Sequence, residues 1–257
     1  MSRSSAEPLR VALAPGEIAL VRGRGAPARL FTTPGRALPD LLPLLDEALA
    51  EPGGHGKRAE VVVSQHFVRH VLTPPPGRPI SRDEEQALVE SSLRNIYGDT
   101  VEGWRVLVIS QPPQYGLLGA AMDAAFLAQL EALLARAGFR DIAIRPLAGV
   151  AARRLPRHYV GWWVLAEPGW LSLFGGTDRI WQHHAAQPVG ADWAAALPDL
   201  LAHAAELAPQ VDASAAWIQA VGTGPASVPA ALGDDGVHWH TLPHDPEIRG
   251  ALALLES

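Results

Sequence analysis

The stretch whose spacing best suits a metal is His238-Trp239-His240, followed by His244-Asp245. On a strand the two outer histidines share a face, and His-x-His does occur in zinc sites. No acidic helix accompanies them, so edge-strand histidines are the simpler expectation and no metal site is assigned. His183-His184 alternate across a strand and suit a metal less well. Asp83-Glu84-Glu85 is the acidic first turn that a helix dipole favours, not a catalytic set. There is no GxSxG nucleophile elbow, and Ser172 lies inside an apolar run. The chain has no cysteine, which excludes disulfides, thiol nucleophiles and thiolate metal sites. Lys57 is the only lysine and stands in no GxxxxGK[ST] loop, so a P-loop nucleotide site is excluded. No catalytic residue is assigned.

The elements that must carry these residues fit in 257 residues, enough for a sizeable core and one or two domains. A net charge of −6 and a pI of about 5.9 argue against nucleic acid or an anionic membrane as a partner. Charged residues are only 19%, too few for long charged tails. Met1–Pro8 is polar and lacks an apolar signal core. The most apolar stretch, Leu117–Gly138, is broken by Asp123, Gln129, Glu131 and Arg136, so it reads as a helix of a globular protein. The expected location is the cytoplasm, with membrane contact only through a partner.

Strands are expected at Arg10–Leu13 and Ile18–Val21, across the turn Ala14-Pro15-Gly16-Glu17, and at Arg29–Thr32. A helix over Asp40–Ala50 precedes the apolar strand Glu60–Ser64. A strand at Phe67–Leu72 runs into a proline-rich loop. Ser81-Arg82-Asp83-Glu84 is a capping box that opens a helix ending near Gly98. Trp104–Ser110 is a strand. Leu117–Ala137 is expected to be one long helix, closed by Gly138. Ile142–Arg145 is a short strand and Leu147–Leu155 a helix. After Gly161 come three strands in hairpin series: Trp162–Ala166, Trp170–Phe174 and Arg179–His183. A helix over Asp192–Leu207, strands at Ala215–Val221 and Val237–Leu242, and a helix over Pro246–Leu255 complete the chain. Three hairpin-linked strands followed by helix–strand alternation therefore occur twice. The expected class is an α/β, actin-like fold of duplicated βββαβα units. The first lobe spans 9–155 with an inserted α/β subdomain at about 66–145, and the second lobe spans 156–257.

Three stretches bear a closer likeness. They are Ser64 to Leu72 with the proline loop, Glu84 to Asn95-Ile96-Tyr97-Gly98, and Leu118 to Arg154 with Arg145-Pro146-Leu147-Ala148-Gly149-Val150. Together they resemble the PilM-like type IV pilus assembly proteins and the cytoplasmic domain of the GspL proteins of type II secretion. That resemblance implies an actin-like fold and a scaffold that docks the cytoplasmic tail of a bitopic, PilN-like inner-membrane protein. It also implies the assembly ATPase as a neighbour, and leaves self-association open.

An actin-type site holds Mg²⁺ and phosphate between two DxG hairpins, with glycines that let backbone amides approach. Here Ala14 stands where the resemblance calls for Asp, and Pro15 removes an amide donor before Gly16. In the second hairpin Glu167 keeps a carboxylate one methylene further out, and Pro168 removes a donor before Gly169. The third turn keeps Gly222 and Gly224, with Pro225 in place of a third glycine. Ala14, Gly16, Glu167, Gly169, Gly222 and Gly224 thus mark a vestigial nucleotide site, and no cofactor is expected. The alternative is an active ATPase or phosphotransferase with Mg-ATP. The tail is expected in a groove between the first lobe and the insertion, walled by Phe67, Arg69, Val71 and Pro75 in the Pro74–Pro76 loop.

Overall fold

The computed structural model describes residues 8–23, 26–50, 57–190, 193–222, 237–242 and 250–255. The chain opens with β1 (Leu9–Ala14), β2 (Glu17–Arg22), β3 (Arg29–Thr32), helix α1 (Leu38–Ala50) and β4 (Arg58–Val63). A 3₁₀ turn over Gln65–Phe67 leads to β5 (Arg69–Leu72), α2 (Arg82–Tyr97), β6 (Trp104–Ile109), β7 (Leu118–Asp123) and α3 (Ala124–Arg136). Then come β8 (Asp141–Pro146), α4 (Leu147–Ala151), β9 (Val160–Glu167), β10 (Trp170–Thr177) and β11 (Ile180–Pro188). Last are α5 (Trp193–Leu207), β12 (Ala215–Ala220), β13 (His238–Thr241) and α6 (Ala251–Leu255).

Two five-stranded sheets have the same wiring. Their orders are β3-β2-β1-β4-β8 and β11-β10-β9-β12-β13. In each, a three-stranded antiparallel meander is extended by two parallel strands. The duplication seen in the hairpin pattern is therefore a duplication of topology.

Strand alternation decides which layer each side chain joins. Leu9, Val11, Leu13, Ile18 and Leu20 face a core closed by α1 and α3. The opposite face of the same strands carries Ala12, Ala14, Ala19 and Val21. These small residues let α4, α6 and the second sheet's Trp163, Leu165, Phe174 and Trp181 pack directly on them. Trp162, Val164, Leu171 and Leu173 point the other way, onto α5.

A third sheet, β5-β7-β6, hangs between β4 and β8 in the chain. Its strands lie within 69–123, narrower than the expected 66–145, because α3 packs in the first lobe's core and β8 pairs with β4. The largest difference from expectation is β7. The run Leu118-Gly-Ala-Ala-Met-Asp123 is the central strand of this sheet and not the first turns of a helix. Alanine-rich sequence favours helix locally, but pairing on both edges overrides it. A side chain at Gly119 would collide with Val89 of α2, so the glycine permits that close packing. Asp123 then caps α3 by accepting a hydrogen bond from the Phe126 amide at 2.6 Å.

Other local signals stand as expected. Ser81 and Glu84 form the reciprocal capping box of α2. Gly16 (φ +79°) and Gly169 (φ +81°) each follow a proline at a hairpin corner, the residue pair of a type II turn. The third hairpin turns elsewhere than expected. Gly175 and Gly176 lie inside β10 at a bulge, and the corner is Asp178-Arg179, with φ of +51° and +65°. Both central residues have positive φ, as a type I′ turn requires, yet neither is glycine. Left-handed backbone costs a non-glycine residue about 1–2 kcal/mol, while glycine loses roughly 0.5–1 kcal/mol of chain entropy. Arg179→Gly should therefore raise stability by about 0.5–1 kcal/mol. Denaturant unfolding of the two proteins measures it, and an equal loss would contradict this account.

Candidate functional site

The two Pro-Gly hairpins meet across a cleft, and the residues at its base are already bonded to one another. The Glu167 carboxylate, 1% exposed, accepts a hydrogen bond from the Gln65 amide at 2.8 Å. The Ser64 hydroxyl also bonds to it. His66 Nε2 lies 2.9 Å from the Pro168 carbonyl. Gln65 is itself buried, and its Oε1 accepts from the Ala148 amide at 3.4 Å. The 64–66 segment of the first lobe is thus clasped by residues 167–168 of the second. Glu17, the first hairpin's own carboxylate, accepts from the Ala251 amide at 2.9 Å and closes on α6. Gly222 (φ +69°) sits against the backbone of Gly250, where a Cβ would collide.

The space left between the hairpins is about 120 Å³, lined by Ala14, Pro15, Glu17, Arg36, His66, Glu167, Pro168, Gly250 and Leu254. Small-molecule sites typically enclose roughly 300–1,000 Å³. Both carboxylates are engaged with backbone amides, and two corner residues are prolines with no N–H to offer. These residues do not fit a Mg-nucleotide group. Of the six positions expected in the vestigial site, Ala14 and Glu167 line this cavity and Gly16 and Gly169 form its hairpin corners. Gly222 lies beside Gly250 at its edge, and Gly224 falls outside the described residues.

A larger groove of about 500 Å³ lies on the far side of the 65–69 segment. Its walls are α1 (Leu38, Leu42) with the preceding Ala37, the segment with His66, Phe67 and Arg69, the insertion's Trp104 and Met122, and Phe126 of α3. Asp123 and Gln129 are at its polar side. Of the four expected partner-binding residues, Phe67 and Arg69 line this groove and Val71 and Pro75 do not. Val71 is 5% exposed and packs in the insertion's own core with Val89 and Leu93, because it follows Arg69 on a strand covered by α2. Pro75 is exposed on the loop beyond the strand. Arg69 does more than line a wall. Its Nη1 donates to the His66 carbonyl at 3.0 Å, and its guanidinium lies 5.9 Å above the Trp170 ring. It makes no ion pair with a carboxylate among the described residues.

Sequence reasoning did not identify Ser64, Gln65 or His66 as the cleft's partners, since nothing in Ser-Gln-His announces a cross-lobe contact 102 residues away. It likewise missed Gln111. Its side-chain amide bonds the backbone N–H and C=O of Trp181, tying the insertion to β11. The ring of His70 in β5 lies 5.2 Å from that of His184 in β11, tilted against it, with Phe174 beside both. Burial holds both imidazoles below the ordinary range, His70 down to about 4. His183 faces Trp162 on the other side of the strand, as alternation requires. Trp162, Trp163 and Trp181 are core residues, and only Trp170 of that group is half-buried. His240 stacks on Trp217 at 4.1 Å on the edge strand β13, while His244 and Asp245 fall outside the described residues. Among the described residues no three metal-capable side chains come together. Nor is any described helix long and apolar enough to cross a membrane.

The duplicated sheets with a cleft between them define an actin-like ATPase fold. The chain superposes with a TM-score of 0.60 on a protein of that fold and unknown function from Bacteroides thetaiotaomicron. That match covers 99% of this chain and 97% of the other at 8% identity. More particularly, it is similar to two assembly proteins. One belongs to a PilM–PilN type IV pilus biogenesis complex (TM-score 0.58, 15% identity, 98% and 94% covered). The other is the cytoplasmic domain of EpsL, an inner-membrane component of the Vibrio cholerae type II secretion system (0.55, 15%, 96% and 92%). No protein-family model matches the chain, and no curated protein matches it.

Burial pushes the Glu167 carboxyl up to about 7, against the opposing pull of the Ser64 and Gln65 hydrogen bonds. An acid with a raised folded-state pKa binds its proton more tightly when folded. Its stabilising share is complete below the ordinary carboxylate range and is lost as pH rises to about 7. The buried histidines act in the opposite sense, losing stability as pH falls below their ordinary value, so the comparison must isolate Glu167. Glu167→Gln should be more stable than wild type at pH 8 by on the order of 1–3 kcal/mol, with the gap closing toward pH 5. Denaturant midpoints across that range test it, and a constant gap would count against the assignment.

Proposed function

We propose that the chain is a non-catalytic actin-like scaffold of a type IV pilus or type II secretion inner-membrane assembly, docking the cytoplasmic tail of a PilN-like membrane partner. The observation that carries this is the contrast between the two cavities. The cleft where such a fold would hold a nucleotide is reduced to about 120 Å³ and closed by its own carboxylates. The groove beside it is about four times larger and lined by Phe67, Met122, Phe126 and Trp104, with Arg69 and Asp123 as polar points. An extended or helical tail gains affinity from apolar anchors in such a groove and register from a few polar contacts. The solved PilM–PilN complex supports the choice of partner class.

Titration with Mg-ATP by calorimetry should give no saturable heat and no turnover. Magnesium-dependent hydrolysis abolished by Glu167→Ala would instead establish the ATPase reading. For the groove, the probe is the cytoplasmic tail peptide of the PilN-like protein of the same genome. Phe67→Ala combined with Gln129→Trp, which removes an anchor and fills the polar end, should weaken binding at least tenfold. Undiminished binding in the folded double variant would move the partner to another surface.

A further inference from the structure

We propose that Glu167 is a positioning residue for the partner groove, acting from the other lobe through the 64–67 turn, so that protonation of its carboxyl resets the groove wall. This rests on the groove reading above and adds its regulation.

The turn stands between the two cavities. Its back, Ser64 and Gln65, is bonded to Glu167; its front, Phe67 with the adjoining Arg69, lines the groove, and His66 touches both spaces. It is closed by the Phe67 amide donating to the Ser64 carbonyl at 3.1 Å and by Arg69 on the His66 carbonyl. So short a ring of bonds cannot shift at Gln65 without moving Phe67.

The carboxylate is held by these hydrogen bonds alone. Arg36 and Glu17 border its cavity, Glu17 occupied with Ala251; His66 is held to Pro168, and Arg69 lies over Trp170. None of them makes an ion pair with Glu167 among the described residues. An ionised carboxylate only accepts, whereas a protonated one must also donate. The Gln65 amide cannot accept, so the new O–H turns to the Ser64 hydroxyl. That oxygen already accepts from the His66 amide at 3.2 Å, and the change is passed into the turn. The carboxyl titrates near 7, so the change falls at neutral pH.

The test uses the full chain without a partner, with Phe67 replaced by 4-fluorophenylalanine and its fluorine resonance followed from pH 5 to 9. One transition with a midpoint near 7 is expected. It should be absent in Glu167→Gln, retained in His66→Gln, and reduced in amplitude in Ser64→Ala, which removes the hydroxyl that passes the change into the turn. Should Glu167→Gln not fold, the loss of amplitude in Ser64→Ala decides. A transition that survives Glu167→Gln, disappears in His66→Gln or ignores Ser64→Ala overturns the proposal. Tail-peptide affinity is measured separately. A fluorine transition without any peptide binding defeats the groove reading and leaves the coupling standing. Binding with no transition does the reverse.

Discussion

The rest of the structure depends on the two sheets sharing one core. Ala12, Ala14 and Ala19 give the first sheet a nearly flat face, and the bulk that fills it comes from the other lobe as Trp163, Phe174 and Trp181. Cores pack at near-crystalline density, so small residues on one side demand large ones opposite. Trp163 stacks on both Phe174 and Trp181, at 5.0 and 5.7 Å. Leu254 and Leu255 of α6 join the same cluster, and Arg10 ties the end of that helix to β1 at 3.1 Å. Neither lobe could keep this face in water, so the lobes are parts of one folding unit.

Given that core, the hairpins have little freedom, and their chemistry follows from where it sets them. A buried carboxylate is costly unless hydrogen bonds satisfy it. Glu167 meets that demand with groups of the opposite lobe, so its carboxyl holds the lobes in register. Its companion Glu17 does the same with α6. The raised pKa of Glu167 records that the compensation is incomplete.

Much of this architecture is legible in the sequence because its signals are local. The capping box at Ser81-Glu84, the Pro-Gly corners and the glycine stop at Gly138 act through the backbone within a few residues. The second lobe's strands can be read from apolar runs separated by short glycine-containing turns. The strand β7 was not legible, since Leu-Gly-Ala-Ala-Met has no period and its state is decided by β5 and β6 on either side. The Asp178-Arg179 corner was hidden for a related reason. Gly175 and Gly176 look like the turn but are small because Val211, Trp162 and the Ile180 backbone press on them. At the site, the lack of a side-chain oxygen at Ala14 and of an amide N–H at Pro15 and Pro168 could be read directly. Phe67 and Arg69 line the larger groove while Val71 is buried under α2, a difference that strand spacing cannot show, because it says which residues share a face and not what covers it.

The insertion adds to the rigidity of the two lobes. It is covalently part of the first lobe, yet it is fastened to the second by the paired bonds between Gln111 and Trp181 and by the edge-on and tilted ring contacts among His70, His184 and Phe174. The 65–69 segment adds His66 on Pro168 and Arg69 over Trp170. Opening the cleft would have to break these contacts together and expose a pair of neutral imidazoles. The groove is bounded by elements on both ends of that fastening, with α1 on one wall and the insertion on the other. A molecule built this way presents one groove shape, adjustable only where a bond in the partition can change character. The bonds that Glu167 makes to Ser64 and Gln65 from the opposite lobe are of this kind.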